Sequence, residues 1–178
     1  FNGCSGLTNV SNPIWTNTTD VVTFEGTFSG TTSLNSPIDL SCDLCTNMSG
    51  TFRNMNSSTS TITLSDTNLV ENFNETFLNC SSLTTINIIT RSSSGSLTNA
   101  ATNMASMFSN CQNLTSSIVI NSPNCLTLFE TFKDCFDLTT VNISNTLLVE
   151  NMERTFLNCL SLNNTSSIIL DCSKCTTL

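Results

Sequence analysis

Residues 65–83, SDTNLVENFNETFLNCSSL, return at 144–162 as SNTLLVENMERTFLNCLSL, identical at 13 of 19 positions with an offset of 79. Identity that dense marks an internal repeat, and a repeat decides architecture before any single element does. Anchoring on the phenylalanine of the shared core gives Phe1, Phe28, Phe52, Phe77, Phe108, Phe132 and Phe156, spaced by 27, 24, 25, 31, 24 and 24 residues. About seven units of roughly 24 residues, partial ones included, therefore fill 1–178 as a single solenoid domain.

Each unit repeats one internal grammar. Three residues after the anchor stands Cys4, Cys80, Cys111, Cys135 or Cys159, with Thr31 and Met55 as exceptions; six after it stands leucine, with Ser58 as the break. Beyond the leucine, an alternating apolar pair follows: Ile38/Leu40, Ile62/Leu64, Ile86/Ile88, Ile118/Ile120, Val141/Ile143 and Ile168/Leu170. Alternation with β-branched residues reads as a short strand that buries the named positions. Upstream of each anchor, apolar residues such as Val70/Phe73 and Val149/Met152 extend a spacing of 3, 4 and 3 through the phenylalanine to the cysteine. That spacing predicts one face of a short helix. The expected architecture is an α/β repeat solenoid, leucine-rich-repeat-like, with a short parallel strand plus a short helix per unit, stacked because one unit cannot cover its own apolar stripe.

Composition limits the chemistry. Serine (27), threonine (30) and asparagine (25) dominate the 178 residues, whereas charged residues are only 10% and the net charge is −8. With five Lys+Arg, the basic footprint of a nucleic-acid binder is missing; with no histidine, the commonest general base and the Ser-His or Cys-His dyad are missing too. Eleven phenylalanines and a positive mean hydropathy require a buried core. No run approaches the roughly 18 apolar residues of a membrane span.

The position two after the anchor is Gly3, Gly30, Asn54, Asn79, Asn110, Asp134 and Asn158. We expect these amides and carboxylate to form an internal polar ladder, bonding the backbone of their own turn and of the next coil. The cysteines Cys80, Cys111, Cys135 and Cys159 are expected as buried, mostly reduced core filler, with Cys42 and Cys172 the first to be oxidised if any are. The pairs Cys42/Cys45 and Cys172/Cys175 have half-site spacing for zinc, but they start units about five coils apart and cannot share one metal. No metal and no cofactor is expected. Ten N-x-S/T sequons, against about eight expected from composition alone, say little about glycosylation. Trp15, beside Pro13 and Ile14, is expected to cover the end of the core rather than to serve as an exposed contact.

The strings FNGCSGL (1–7), FLNCSSLTTINI (77–88) and FKDCFDLTTVNI (132–143) resemble the BspA-type leucine-rich repeats, whose units run F-x-x-C-x-x-L-x-x-I-x-I. The resemblance covers nearly the whole chain and departs from the pattern at Thr31, Met55, Ser58 and the 31-residue spacing before Phe108. It implies a surface-exposed adhesion or recognition array, of microbial or virion origin.

An enzyme is not expected. Glu71 and Glu150 are equivalent positions three coils apart, too far to flank one glycosidic bond, and Glu71/Glu75 and Glu150/Glu153 read as a solvated helix face. Phe1 already sits on an anchor, and Cys175 and Leu178 lie seven and four residues before the next one, so the chain is expected to be part of a longer array. The expected function is a non-enzymatic recognition or adhesion module, extracellular, on a cell surface or on a virion, that binds protein or glycan. The alternative is a structural spacer or fibre subunit that contacts neighbouring copies of itself. Neither nucleic acid nor membrane insertion is expected, and the binding residues are not identified.

Overall fold

The computed structural model describes residues 1–9, 18–56, 61–89, 100–121, 123–163, 167–168, 170 and 173–177. Among the described residues six short strands follow in chain order: β1 (Ile38–Ser41), β2 (Thr61–Ser65), β3 (Thr85–Ile89), β4 (Ile118–Asn121), β5 (Val141–Ser144) and β6 (Ser167–Ile168). They pair in parallel as β1-β2-β3 and β4-β5-β6, two three-stranded sheets. Register follows the repeat, with Ile38 beside Ile62, Ile62 beside Ile86, and Ile118 beside Val141. Five of the six expected apolar pairs face inward: Ile38, Leu40, Ile62, Leu64, Ile86, Ile118, Ile120, Val141 and Ile143 are buried and Ile88 partly so, whereas Ile168 and Leu170, expected to be buried as the last pair, are exposed.

The helix expected in each unit is not there. The chain is a β-solenoid with almost no helix, about 2% of residues, rather than an α/β solenoid with a helix per unit. The one helical segment among the described residues is a single 3-10 turn, Thr67–Leu69. In its place each unit carries a chain of tight turns, called here the arch, from about five residues before the anchor to three after it.

Hydrogen bonding explains why the arch is no helix. In an α-helix each amide bonds the carbonyl four residues back, within its own segment. In the arch the amides alternate. Those of Phe24, Gly26, Phe28 and Gly30 donate to the next coil, at the carbonyls of Asn47, Ser49, Thr51 and Arg53, at 2.9, 2.9, 2.7 and 2.8 Å. Those of Thr27, Ser29 and Thr31 donate three residues back, to Phe24, Gly26 and Phe28. The turns 24–27 and 28–31 each place their third residue, Gly26 or Gly30, at positive φ, the requirement of a type II turn. Two left-handed positions thus recur in every full arch, two residues before and two after the anchor: Gly26/Gly30, Gly50/Asn54, Glu75/Asn79, Ser106/Asn110, Glu130/Asp134 and Arg154/Asn158. The apolar corners between them fall at the same 3, 4, 3 spacing that a helix face would show.

The arches run without interruption through the 31-residue unit, while the sheet does not. Parallel bridges link Thr23, Asn47, Asn72, Asn103, Thr127, Asn151 and Thr177 in succession. Between β3 and β4 there is no ladder; the Ile86 amide instead donates to the Ser116 hydroxyl at 3.0 Å.

Candidate recognition surface

The anchor phenylalanines form one column. Phe28, Phe52, Phe77, Phe108 and Phe132 are fully buried, and Phe156 is partly buried. Successive rings from Phe1 to Phe156 stack with centroids 5.1–5.7 Å apart and planes within 14° of parallel. Offset stacking of this kind adds about 0.5–1.5 kcal/mol per pair to the area buried.

Beside it runs the cysteine column. The thiols of Cys80, Cys111, Cys135 and Cys159 donate to the carbonyls of Phe52, Phe77, Phe108 and Phe132, each in the preceding coil, at 3.0–3.1 Å. Burial pushes Cys80 up to about 12 and Cys159 up to about 11. Cys111 and Cys135 rise well above the ordinary value for the same reason, helped by neighbouring thiols. These groups are hydrogen-bond donors of the core, not nucleophiles. Cys42 and Cys45 are also buried and free, Cys4 is free and exposed, and Cys172 lies outside the described residues, as do Trp15 and Ser58.

The asparagine column stands at the surface rather than inside. Asn79 donates from Nδ2 to Asn54 Oδ1 at 2.8 Å, Asn110 to Asn79 at 2.9 Å, and Asn158 to Asp134 at 2.7 Å. Asn54 and Asn158 are exposed; Asn79, Asn110 and Asp134 are partly so. Their recurrence reflects backbone conformation, because positive φ selects glycine, asparagine and aspartate.

Two further columns went unread in the sequence. One residue before the anchor, Thr76 donates its hydroxyl to Phe73 O at 2.8 Å and Met48 O at 3.0 Å; Thr51 and Thr155 do the same in their coils. Five residues before the anchor, Asn47, Asn72, Asn103 and Asn151 accept through Oδ1 from the amide two residues on, at 2.9–3.0 Å, and Thr23 and Thr127 replace them with a hydroxyl at 3.2 Å. These are Asx and ST turns that open each arch. The recurring TF dipeptide and the asparagine before Met48, Phe73, Met104 and Met152 were the available signals.

The outward rows are mostly short and polar, with large apolar residues such as Val22, Leu126, Leu147 and Leu160 exposed elsewhere on the surface. On the first sheet the outward row is Asp39, Thr63 and Asn87, side by side; on the second it includes Val119 and Asn142. On the arch, cations pair with carboxylates: Arg53 with Glu75 at 2.9 Å, Lys133 with Glu130 at 3.1 Å, and Arg154 with Glu130 at 3.3 Å. Glu75 and Glu153 therefore lie on a turn surface and not on a helix face, and Glu71 and Glu150 are exposed at its entrance.

Stacked coils, one ring per coil and polar rows outside define a β-solenoid repeat module. The chain belongs to the family described as Mycoplasma protein of unknown function, DUF285, whose model matches residues 1–118 and again 46–177, overlapping as a repeat should. That domain is associated with BspA-like repeat proteins, although the match is not to the BspA-type repeats directly. No curated protein and no solved structure matches the chain.

Proposed function

We propose that the chain is a non-enzymatic recognition or adhesion module of the BspA-like kind, displayed on a cell or virion surface and binding protein or glycan. The observation that supports this reading is the fixed spacing of outward hydroxyl and amide side chains on coils whose backbone is bonded to its neighbours on both sides. A partner that meets such rows has little side-chain or loop entropy to overcome, since short Ser, Thr and Asn chains on a paired backbone are ordered beforehand. The thin charge favours short-range hydrogen bonding over long-range steering.

The test is binding of the chain to an array of glycans and to a panel of extracellular matrix proteins, with Asn87→Lys altering the outer sheet and Arg53→Glu altering the arch. Saturable binding that falls tenfold or more with one of the two substitutions supports the reading. Binding to neither panel, together with end-to-end association of the chain in native mass measurement, would replace it with a structural spacer.

A further inference from the structure

In the arches of Phe28 and Phe52 the left-handed position before the anchor is glycine, Gly26 and Gly50, whereas later arches carry Glu75, Ser106, Glu130 and Arg154 there. Nothing in the packing demands the change. A Cβ on Gly50 would meet nothing nearer than Arg53 Cβ at 4.0 Å, and one on Gly26 only Asn2 Nδ2 at 3.7 Å. The positive φ is the same that Glu75 and Arg154 adopt. What the two glycines create is space: a trough of about 260 Å³ on the arch, with Gly26 and Gly50 in its lining.

The walls of that trough have unused hydrogen-bonding capacity. Ser29 lines it, and no described group bonds its hydroxyl, which is open to solvent rather than sealed in the core. Ser49 adds a second hydroxyl, and Glu25 a carboxylate that accepts one bond, from Asn47 Nδ2 at 3.1 Å. The other side is the Arg53–Glu75 pair. Acceptors, a guanidinium and hydroxyls that do both thus converge on one small volume. We propose that this trough binds a single hydroxyl-rich sugar residue at the exposed end of a glycan. Adjacent hydroxyls of a pyranose offer a donor and an acceptor side by side, which the Ser29, Ser49 and Glu25 set complements. The volume lies below the roughly 300 Å³ at which sites for larger ligands begin, so it admits one ring and not a chain. The inference rests on the recognition reading above and assigns it a ligand class and a place.

The experiment is saturation-transfer NMR of the chain with a panel of free neutral hexoses and N-acetylhexosamines, followed by titration of those that respond. Ser29→Ala removes a hydroxyl from the lining; Gly50→Glu fills the trough with a residue that the equivalent position already accommodates at Glu75. Each is expected to weaken sugar binding at least tenfold with the circular dichroism spectrum unchanged; Gly50→Glu is expected to lower the melting temperature slightly, because glutamate resists positive φ, and Ser29→Ala to leave it level. Ser109→Ala, at the equivalent position in the arch of Phe108, is expected to leave binding intact. Sugar binding that survives both trough substitutions overturns the site while leaving the recognition reading in place. No response from any sugar, alongside saturable binding to a matrix protein, overturns the ligand class in the same way. No response to either panel would overturn both.

Discussion

The arch and the sheet are built from the same repeat, but they treat the 31-residue unit differently. On the arch side, the bridge from Asn72 to Asn103 and the stack of Phe77 on Phe108, at 5.3 Å, pass through it unchanged. On the sheet side the ladder stops at β3 and resumes at β4, and the contact between them is reduced to bonds such as Thr115 to the Thr84 carbonyl at 3.1 Å. The difference lies in what each side needs. An arch is fixed by residues at set positions, two left-handed sites, an Asx or ST turn and, in every full arch but that of Phe108, where Met107 takes its place, a threonine, so its length cannot vary. The stretch between a strand and the next arch carries no such requirement, and the extra residues of the long unit fall there, between Ile89 and Asn103, where added length costs little entropy. The arch therefore holds the register of the solenoid, and the sheet follows it.

Substitutions of equal burial on the two sides should sharpen this contrast. Phe132→Ala removes a fully buried ring from the middle of the column and is expected to cost about 3–5 kcal/mol in denaturant unfolding, while Ile143→Val on β5 is expected to cost about 0.5–1.5 kcal/mol. An effect of the ring below about 1 kcal/mol would remove the arch from its controlling role.

Alkaline pH attacks the arch through its thiols. Their pKa is raised in the folded chain above the ordinary 9.0, to about 12 for Cys80 and about 11 for Cys159, and Cys125 at the entrance to the arch rises likewise to about 11, so the folded state holds these protons longer than the unfolded one. Stability from this source is complete below pH 9 and is lost progressively as pH rises through 11 and 12. The melting temperature is expected to be level below pH 9 and to fall steadily above it; the chain has no tyrosine to share the blame. A level melting temperature through pH 11 would contradict the buried, hydrogen-bonded state of the column.

Smaller effects should follow from single bonds. Thr76→Val keeps the shape but removes a hydroxyl that joins two coils, and about 1–2 kcal/mol should be lost. At Asn79, alanine should cost about 1 kcal/mol because it resists positive φ, and glycine should cost distinctly less because it does not. Equal effects of alanine and glycine would mean that the side-chain bonds to Asn54 and Asn110, and not the backbone, select asparagine there.

The repeat, its phenylalanine anchor and all the inward strand pairs but the last, Ile168/Leu170, were legible in the sequence, because a ring every 24 residues or so and a period of two have few other readings. The arch was misread because 3, 4, 3 spacing is shared by a helix face and by consecutive tight turns. Glycine at both Gly26 and Gly50 argued for turns, since helix interiors disfavour it, but Glu75, Glu130 and Arg154 at the same position hid that signal. The asparagines two after the anchor were visible as a column, yet their surface placement follows from φ, which residue spacing does not report. The trough was not legible at all: it depends on which glycines become neighbours across coils, and so on a register that only the folded arch supplies.

Native-state hydrogen exchange at individual amides tests the controlling role of the arch most directly. The Phe77 and Asn79 amides donate to Met107 and Ser109 across the long unit, at 2.8 and 2.9 Å, and Phe52 and Asn54 donate to Thr76 and Leu78 one coil earlier, both at 2.8 Å. Equal protection of the two pairs is expected, because both open only when the column itself opens. Exchange at Phe77 and Asn79 orders of magnitude faster than at Phe52 and Asn54 would show the solenoid parting at the break in its sheet, and would contradict a register held by the arch.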